Sequence, residues 1–298
     1  MLIDTHSHLN FAAYKDDVDE VIKRSLEGGV WMINVGSQYS TSRRAVNIAQ
    51  RYDRGVYAAV GLHPIHLADG IFKAKLDTEE ASFNTHNESF DYQQYKELAL
   101  SEKVVAIGEI GLDYYYKPKT KKRLEEFKNL QKEIFLEQLE LAKELNLPII
   151  FHCRTAHEDL IEILNTKYLP RRQADKIQNT KPRGVVHCFT GTWQQAQKYL
   201  EMGFYLGFNG IIFKLDLDEV IKNAPLDKIL IETDCPYLLP PLPAEALAKA
   251  GFREGRNEPL YTKYIAEKVA KIKNLSYKDL SEITTQNAKK LFKIKASV

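Results

Sequence analysis

Eight short apolar runs, each separated from the next by polar or amphipathic chain, constrain this sequence more than any other feature. They are Leu2 to His6, Trp31 to Val35, Val56 to Leu62, Val104 to Ile110, Pro148 to His152, Gly184 to Phe189, Phe204 to Phe208 and Ile229 to Thr233. Short continuous runs bounded by turn residues read as strands buried on both faces. Helical patterns fill the intervals at 16–27, 41–52, 90–101, 120–145, 156–166, 193–201 and 216–223, with more helix from about 259 to the end. In the longest, Leu124, Phe127, Leu130, Ile134, Leu141 and Leu145 trace one helical face. Thr192 with Gln195 resembles a capping box, and Gly203 stands where a helix should close. Strand and helix in alternation predict an α/β fold, a TIM (β/α)8-type barrel, with residues 1–298 as a single domain. An open doubly wound sheet is the alternative, but no G-x-G-x-x-G follows the first run to support dinucleotide binding.

At 298 residues the chain is long enough for one such barrel. Its net charge of +2 does not demand a polyanionic partner, so any nucleic-acid surface must be local. No run approaches the 18 or so apolar residues of a membrane span, and no basic and apolar leader opens the chain. The expectation is a cytoplasmic or nuclear protein with no membrane and no obligate protein partner. Three widely spaced cysteines, Cys153, Cys188 and Cys235, suit packing better than a disulfide framework.

In barrels of this kind chemistry gathers at the C-terminal ends of the strands. The first run ends in His6 and His8, whose spacing sends both imidazoles to one face. The fourth contains Glu109, the fifth ends in His152, the sixth in His187, and Asp234 follows the eighth. Taken singly, each has an ordinary reading as a hydrogen-bonded core histidine or a helix cap. Together they set six ionisable groups against apolar runs at one end of five strands, which is costly unless a cation compensates. Four imidazoles and two carboxylates without a thiolate suit a hydrolytic Zn, Mn or Mg site. One tetrahedral ion does not use six ligands, whereas two ions about 3.5–4 Å apart with a bridging carboxylate do. Glu109 is the natural bridge, and Asp234 both ligates and orients or deprotonates the attacking water.

The motifs "DTHSHLN" at 4–10, "GLHP" at 61–64, "GEIGLDYY" at 108–115, "PIIFHCR" at 148–154, "VVHCFTG" at 185–191, "ETDCPYL" at 232–238 and "GRNEP" at 255–259 run across nearly the whole chain. In that order they resemble the TatD-like metal-dependent deoxyribonucleases of the amidohydrolase superfamily. The resemblance implies a TIM barrel with His6, His8, Glu109, His152, His187 and Asp234 around one or two divalent metal ions. It further implies phosphodiester hydrolysis in DNA, often exonucleolytic. The segment at 64–89 and the basic stretch at 167–183 are longer than the resemblance leads one to expect.

On the substrate side, Arg154 lies two residues beyond His152 and should reach a phosphate oxygen. His63 beside Pro64 is a candidate for a phosphate contact or proton transfer, and Arg256 and Asn257 lie in the loop after the last strand. Tyr114 belongs to "DYYYKPKTKKR" at 113–123, which interleaves three tyrosines with five basic residues, a pattern suited to stacking bases and following a nucleic-acid backbone. The stretch at 167–183 precedes the sixth run and belongs at the opposite end of the barrel. The alternatives are a related barrel hydrolase acting on a lactone, amide, phosphotriester or aminoacyl ester, and a nucleic-acid-binding barrel without turnover. A carboxylated lysine bridge would favour the first, and the fourth run offers Glu109 and no lysine.

Overall fold

Each apolar run forms a strand, because its Val, Ile, Ala and Phe side chains pack to both sides of one sheet. The strands are β1 (Leu2–Ser7), β2 (Val30–Val35), β3 (Val56–Val60), β4 (Val104–Asp113), β5 (Ile149–Arg154), β6 (Gly184–Val186), β7 (Tyr205–Phe208) and β8 (Ile229–Ile231). The computed structural model describes residues 1–68, 71, 80, 89–168, 183–244 and 254–295. All neighbouring strands pair in parallel, in the order β1 to β8. A parallel bridge between Ser7 and Cys235 brings the two ends of the sheet together, so the fold is a TIM-type barrel.

The strand residues fall into two layers. Ile3, Ile33, Ala59, Val105, Ile150, Val185, Tyr205 and Leu230 form one cluster, while their chain neighbours Leu2, Met32, Ala58, Val104, Ile149, Val186, Leu206 and Ile229 belong to another. This alternation is the period of a strand, with one set filling the barrel and the other meeting the helices. The covering helices are α1 (Val18–Glu27), α2 (Tyr39–Ala49), α3 (Tyr92–Ala99), α4 (Lys121–Glu144), α5 (His157–Tyr168), α6 (Trp193–Glu201) and α7 (Asp218–Asn223). The Thr192 and Gln195 side chains close a capping box on α6, and Gly203 follows it at φ 94°.

The helical chain expected after 259 is divided in two. It forms α8 (Thr262–Lys273) and α9 (Tyr277–Phe292), broken where Asn274 turns left-handed at φ 55° and Ser276 caps the next helix. Leu291 and Phe292 of α9, with Ile294, complete the inner cluster, so the last helix plugs the N-terminal end of the barrel. Asn287 donates to the carbonyls of Leu226 and Ile229 at 2.8 and 2.9 Å, tying α9 to the start of β8.

On α4 two buried polar residues interrupt the apolar face. Gln138 accepts from Leu62 N at 2.7 Å and donates to Leu62 O at 3.0 Å, and Gln131 makes the same paired contact with the backbone of Asp113 at 2.9 Å each. Each amide acts as an added strand rung, and the two sit at the C-terminal ends of β3 and β4. Of the segments expected to break the regularity, most of 64–89, nearly all of 167–183 and the middle of 234–258 lie outside the described residues. Arg183, the last of the basic stretch, accepts from Ile149 N at 2.9 Å and so stands at the N-terminal end of β5. No described helix is long and apolar enough to cross a membrane.

Candidate metal centre

The C-terminal ends of the strands gather the six expected residues into one cluster. His6 Nε2 lies 3.1 Å from His8 Nε2, 3.4 Å from Glu109 Oε2 and 3.8 Å from Asp234 Oδ1, and His8 Nε2 lies 3.3 Å from Asp234 Oδ1. Four ligands held at about 2.0–2.2 Å from one tetrahedral ion would themselves be roughly 3.3–3.6 Å apart, close to the spacing of these donors. Glu109 turns its other oxygen to a second set: Oε1 is 2.5 Å from His152 Nδ1, 3.2 Å from His187 Nε2 and 3.7 Å from His63 Nε2. A single carboxylate is therefore shared between two groups of nitrogens.

Closure of the barrel positions the first group. Asp234 N donates to His6 O and His8 N to Cys235 O, both at 2.8 Å, so the backbone that carries three of the donors is also the seam between β1 and β8. Buried Asp4 reinforces the seam by accepting from Thr233 N at 2.8 Å and from its hydroxyl at 2.5 Å. The loop after β8 is strapped down in turn, since Asn257 Nδ2 donates to Thr233 O at 3.0 Å and Tyr237 O at 2.7 Å, on either side of Asp234.

Most of the imidazoles are fixed from behind. The ring of His152 sets Nε2 3.1 Å from Asp113 Oδ2, and His187 sets Nδ1 3.0 Å from Glu232 Oε1. His8 directs Nδ1 to Val35 O at 2.8 Å. An acceptor on one ring nitrogen leaves the other with its lone pair toward the centre, the usual arrangement around a metal-ligating histidine. The place for Glu232 exists because residue 207 is glycine: a Cβ there would stand 2.5 Å from Glu232 Oε2. His6 stacks on His187 with centroids 3.7 Å apart.

The electrostatics favour positive charge here. Burial works to raise Glu109, but His187, His63, His152 and His6 outweigh it and hold the carboxyl well below its usual range. Asp234 is lowered too, against burial, by His8, His187 and His6. Burial would lower His152 and His187, yet Glu109 with Asp113 raises the first to about 9, and Glu232 with Glu109 lifts the second well above its ordinary value. Ionised carboxylates that hold protons on neighbouring imidazoles in the chain alone are a site that a cation would satisfy. His63 behaves differently. Burial and the neighbouring His152 push it down to about 3, and its Nδ1 accepts from Ile65 N at 3.0 Å, so Nε2 carries the proton of a neutral ring.

The cysteines are not part of this chemistry. Burial pushes the thiols of Cys153 and Cys188 up to about 12, and Cys153 packs against His157 and Tyr199 on α5 and α6.

The substrate-side expectations divide. Arg154 ends β5 and is exposed, two residues beyond His152. Tyr114, Arg256 and Asn257 are corrected: each is buried and bonded within the protein. The Tyr114 hydroxyl donates to Asp159 Oδ2 at 2.8 Å. Arg256 forks onto Asp17 at 2.7 and 2.9 Å and reaches Glu258 at 3.0 Å. Asn257 is engaged by Thr233 and Tyr237, and its carbonyl accepts from the buried Tyr14 hydroxyl. Asp113, Glu232 and Asp4 were not singled out from the sequence. The alternation that relates His6 to His8 also relates Asp4 to His6 and Glu232 to Asp234, so the signal was present.

The family model described as TatD related DNase matches residues 3–293. The metal-dependent hydrolase YabD of Bacillus subtilis is 41% identical over 298 residues, covering 99% of this chain and 100% of that protein. The 3'-5' ssDNA/RNA exonuclease TatD of Citrobacter rodentium is 33% identical over 302 residues and is covered at 98% on both sides. Among solved structures, YjjV, a TatD homolog from Escherichia coli K12, superposes with a TM-score of 0.75 at 27% identity, covering 99% of this chain and 98% of that one.

Proposed function

Because the chain belongs to the TatD-related DNase family, we propose that it is a metal-dependent hydrolase that cleaves phosphodiester bonds of DNA from an end, with two divalent cations, Mg, Mn or Zn, at the strand ends. The observation that carries this reading is the division of Glu109, with Oε2 toward His6 and Oε1 toward His152 and His187. His6, His8 and Asp234 would hold one cation with Glu109, and His152 and His187 would hold the other. When bound, the cations supply Lewis-acid charge for the phosphoryl oxygens and a water that ionises near neutral pH.

The rest of the chemistry belongs to side chains. Asp234, ionised and at the mouth, orients the attacking water, accepts its proton as the oxygen–phosphorus bond forms, and passes it to the departing alkoxide. Neutral His63 donates from Nε2 to a phosphoryl oxygen, where a preformed donor stabilises charge that grows in the transition state. Arg154 meets a neighbouring backbone phosphate. Glu109 occupies the position at which a carboxylated lysine would favour the other barrel hydrolases, which supports the phosphodiesterase reading.

The test is cleavage of end-labelled single- and double-stranded DNA, RNA and simple esters under Mg, Mn or Zn, beside Glu109→Ala. Wild type should shorten DNA progressively from an end and the variant should not. Equal degradation by both, or none by wild type with any metal, rejects the assignment.

A further inference from the structure

Tyr115 and Tyr116 follow the end of β4 and are 52% and 39% exposed, the only adjacent pair among the large exposed hydrophobics of the described residues. Two neighbouring rings left in water on the rim of a proposed active site call for something that covers them. The rings meet edge to face with centroids 4.9 Å apart, and Arg154 lays its guanidinium over Tyr115 with Cζ 3.7 Å from the ring centroid and 5.6 Å from that of Tyr116. The three side chains form a ledge of flat, polarisable groups.

This ledge is held in register with the metal centre. Tyr115 N donates to Asp113 Oδ1 at 2.8 Å, and the other oxygen of the same carboxylate is 3.1 Å from His152 Nε2. Tyr114 N donates to Arg154 O at 2.9 Å, and β4 pairs Asp113 with Arg154. The backbone under the ledge thus cannot shift without moving a proposed ligand. Exposed Lys117, Lys119, Lys121, Lys122 and Arg123 continue from it along the chain, the side on which a polyanion would lie.

We propose that Tyr115, Tyr116 and Arg154 are a stacking platform for the base of the nucleotide beside the scissile phosphate. The proposal rests on the nuclease reading above and assigns the side chains that hold the terminal base. Every base offers a π face, so stacking on aromatic and guanidinium planes binds without reading sequence. A terminal base in a blunt duplex already stacks and pairs within the helix, and it reaches the ledge only by fraying.

Two measurements test it. The first compares kcat/KM for single-stranded oligonucleotides ending in a normal nucleotide or an abasic one, in wild type, in the Tyr115→Ala/Tyr116→Ala double variant and in Tyr277→Ala, an exposed tyrosine at the start of α9. The double variant should lose about 10- to 100-fold on the normal end, the scale of one lost base–aromatic stack, mainly through KM. Wild type should lose a similar factor on the abasic end, and the double variant little further. The second measurement uses a ten-nucleotide thymidine strand with 2-aminopurine at either end, in chelator so that nothing is cut. Wild type and Tyr277→Ala should quench the fluorophore at one end, and the double variant should not. Equal abasic-to-normal ratios in wild type and double variant, or quenching that survives the double substitution, overturn the proposal. A wild type that quenches but never cleaves rejects the nuclease reading and leaves the ledge standing.

Discussion

Replacing Asp113 by asparagine tests whether the partner behind a proposed ligand governs metal binding. The carboxylate is buried, holds His152 Nε2 at 3.1 Å and accepts from Tyr115 N at 2.8 Å. Its backbone is gripped on both sides by Gln131, so an isosteric change should leave the strand where it is. What changes is the proton. With Asp113, the hydrogen sits on His152 Nε2 and the lone pair of Nδ1 faces Glu109. An amide that keeps its oxygen on Tyr115 N presents an N–H to Nε2, which favours the tautomer with the hydrogen on Nδ1, where a cation needs the lone pair. A hydrogen bond to a charged partner contributes about 1.5–3 kcal/mol. At about 1.4 kcal/mol per factor of ten, the loss corresponds to roughly 10- to 100-fold in metal affinity, the range seen when such outer partners are removed. Calorimetric titration of the metal-free protein with Mn or Zn should show one site weakened by that factor and the other little changed, with kcat on DNA reduced in parallel. The thermal midpoint in chelator should move little, because the Gln131 grip remains. Unchanged affinity at both sites and unchanged kcat would refute the reasoning.

Other substitutions probe the scaffold and the charge balance. Gln138→Ala leaves Leu62 N and O without their partners at 2.7 and 3.0 Å, and two buried backbone groups unsatisfied at about 1–3 kcal/mol each should lower the calorimetric midpoint by roughly 5–15 °C. Chelation should abolish cleavage and lower the midpoint, since a cation at about 100 times its dissociation constant adds roughly 2.7 kcal/mol per site, and restoring it should release protons from the histidines. Glu80 is a pH-dependent contribution. Burial opposes its ionisation, but His66 and Ser37 outweigh burial and hold it at about 2 against an ordinary 4.5. A carboxyl lowered in the folded state stabilises above its unfolded value and loses that contribution as pH falls toward the folded one. Denaturant midpoints of Glu80→Gln should therefore lie below wild type at pH 6, with the gap closing as pH drops from about 4.5 toward 2.

The strands were legible because their burial on two faces leaves a local trace, an apolar run of the right length. Helix positions followed from periodicity and caps, as with Thr192 and Gln195. Contacts between distant segments left no such trace. Gln131 and Gln138 read as flaws in an apolar face, although each completes the backbone pairing of a loop brought near only by folding. The break at Asn274 has no sharp local signal, because the chain on both sides is equally helical. At the centre, the strand-end rule points to six residues that the fold brings together, because each ends or follows an apolar run. It did not recover Asp113 and Glu232, whose role is defined by a histidine on another strand. Tyr114 reads as substrate-facing from its tyrosine-and-basic stretch, and Arg256 and Asn257 from their loop position, but their partners Asp159, Asp17 and Thr233 become neighbours only in the folded barrel.

The two halves of the centre are built by different means. On one side, His6, His8 and Asp234 are carried by the closure of the barrel: β8 is only three residues long, so the seam relies on the backbone bonds at His6 and His8 and on Asp4 gripping Thr233. On the other side, His152 lies against ten-residue β4, in pairing that continues to Arg154, and its orientation comes from Asp113. Glu109 projects from β4 and touches both halves, with Oε2 toward His6 and Oε1 toward His152 and His187. A centre for a single ion would need only one of these donor sets and would leave the other set balanced by protons on its imidazoles. The donors instead fall into two sets that share one carboxylate, each with outer supports of its own. That division is the physical argument for the proposed second cation, and it makes Glu109 the residue whose loss disables both halves at once.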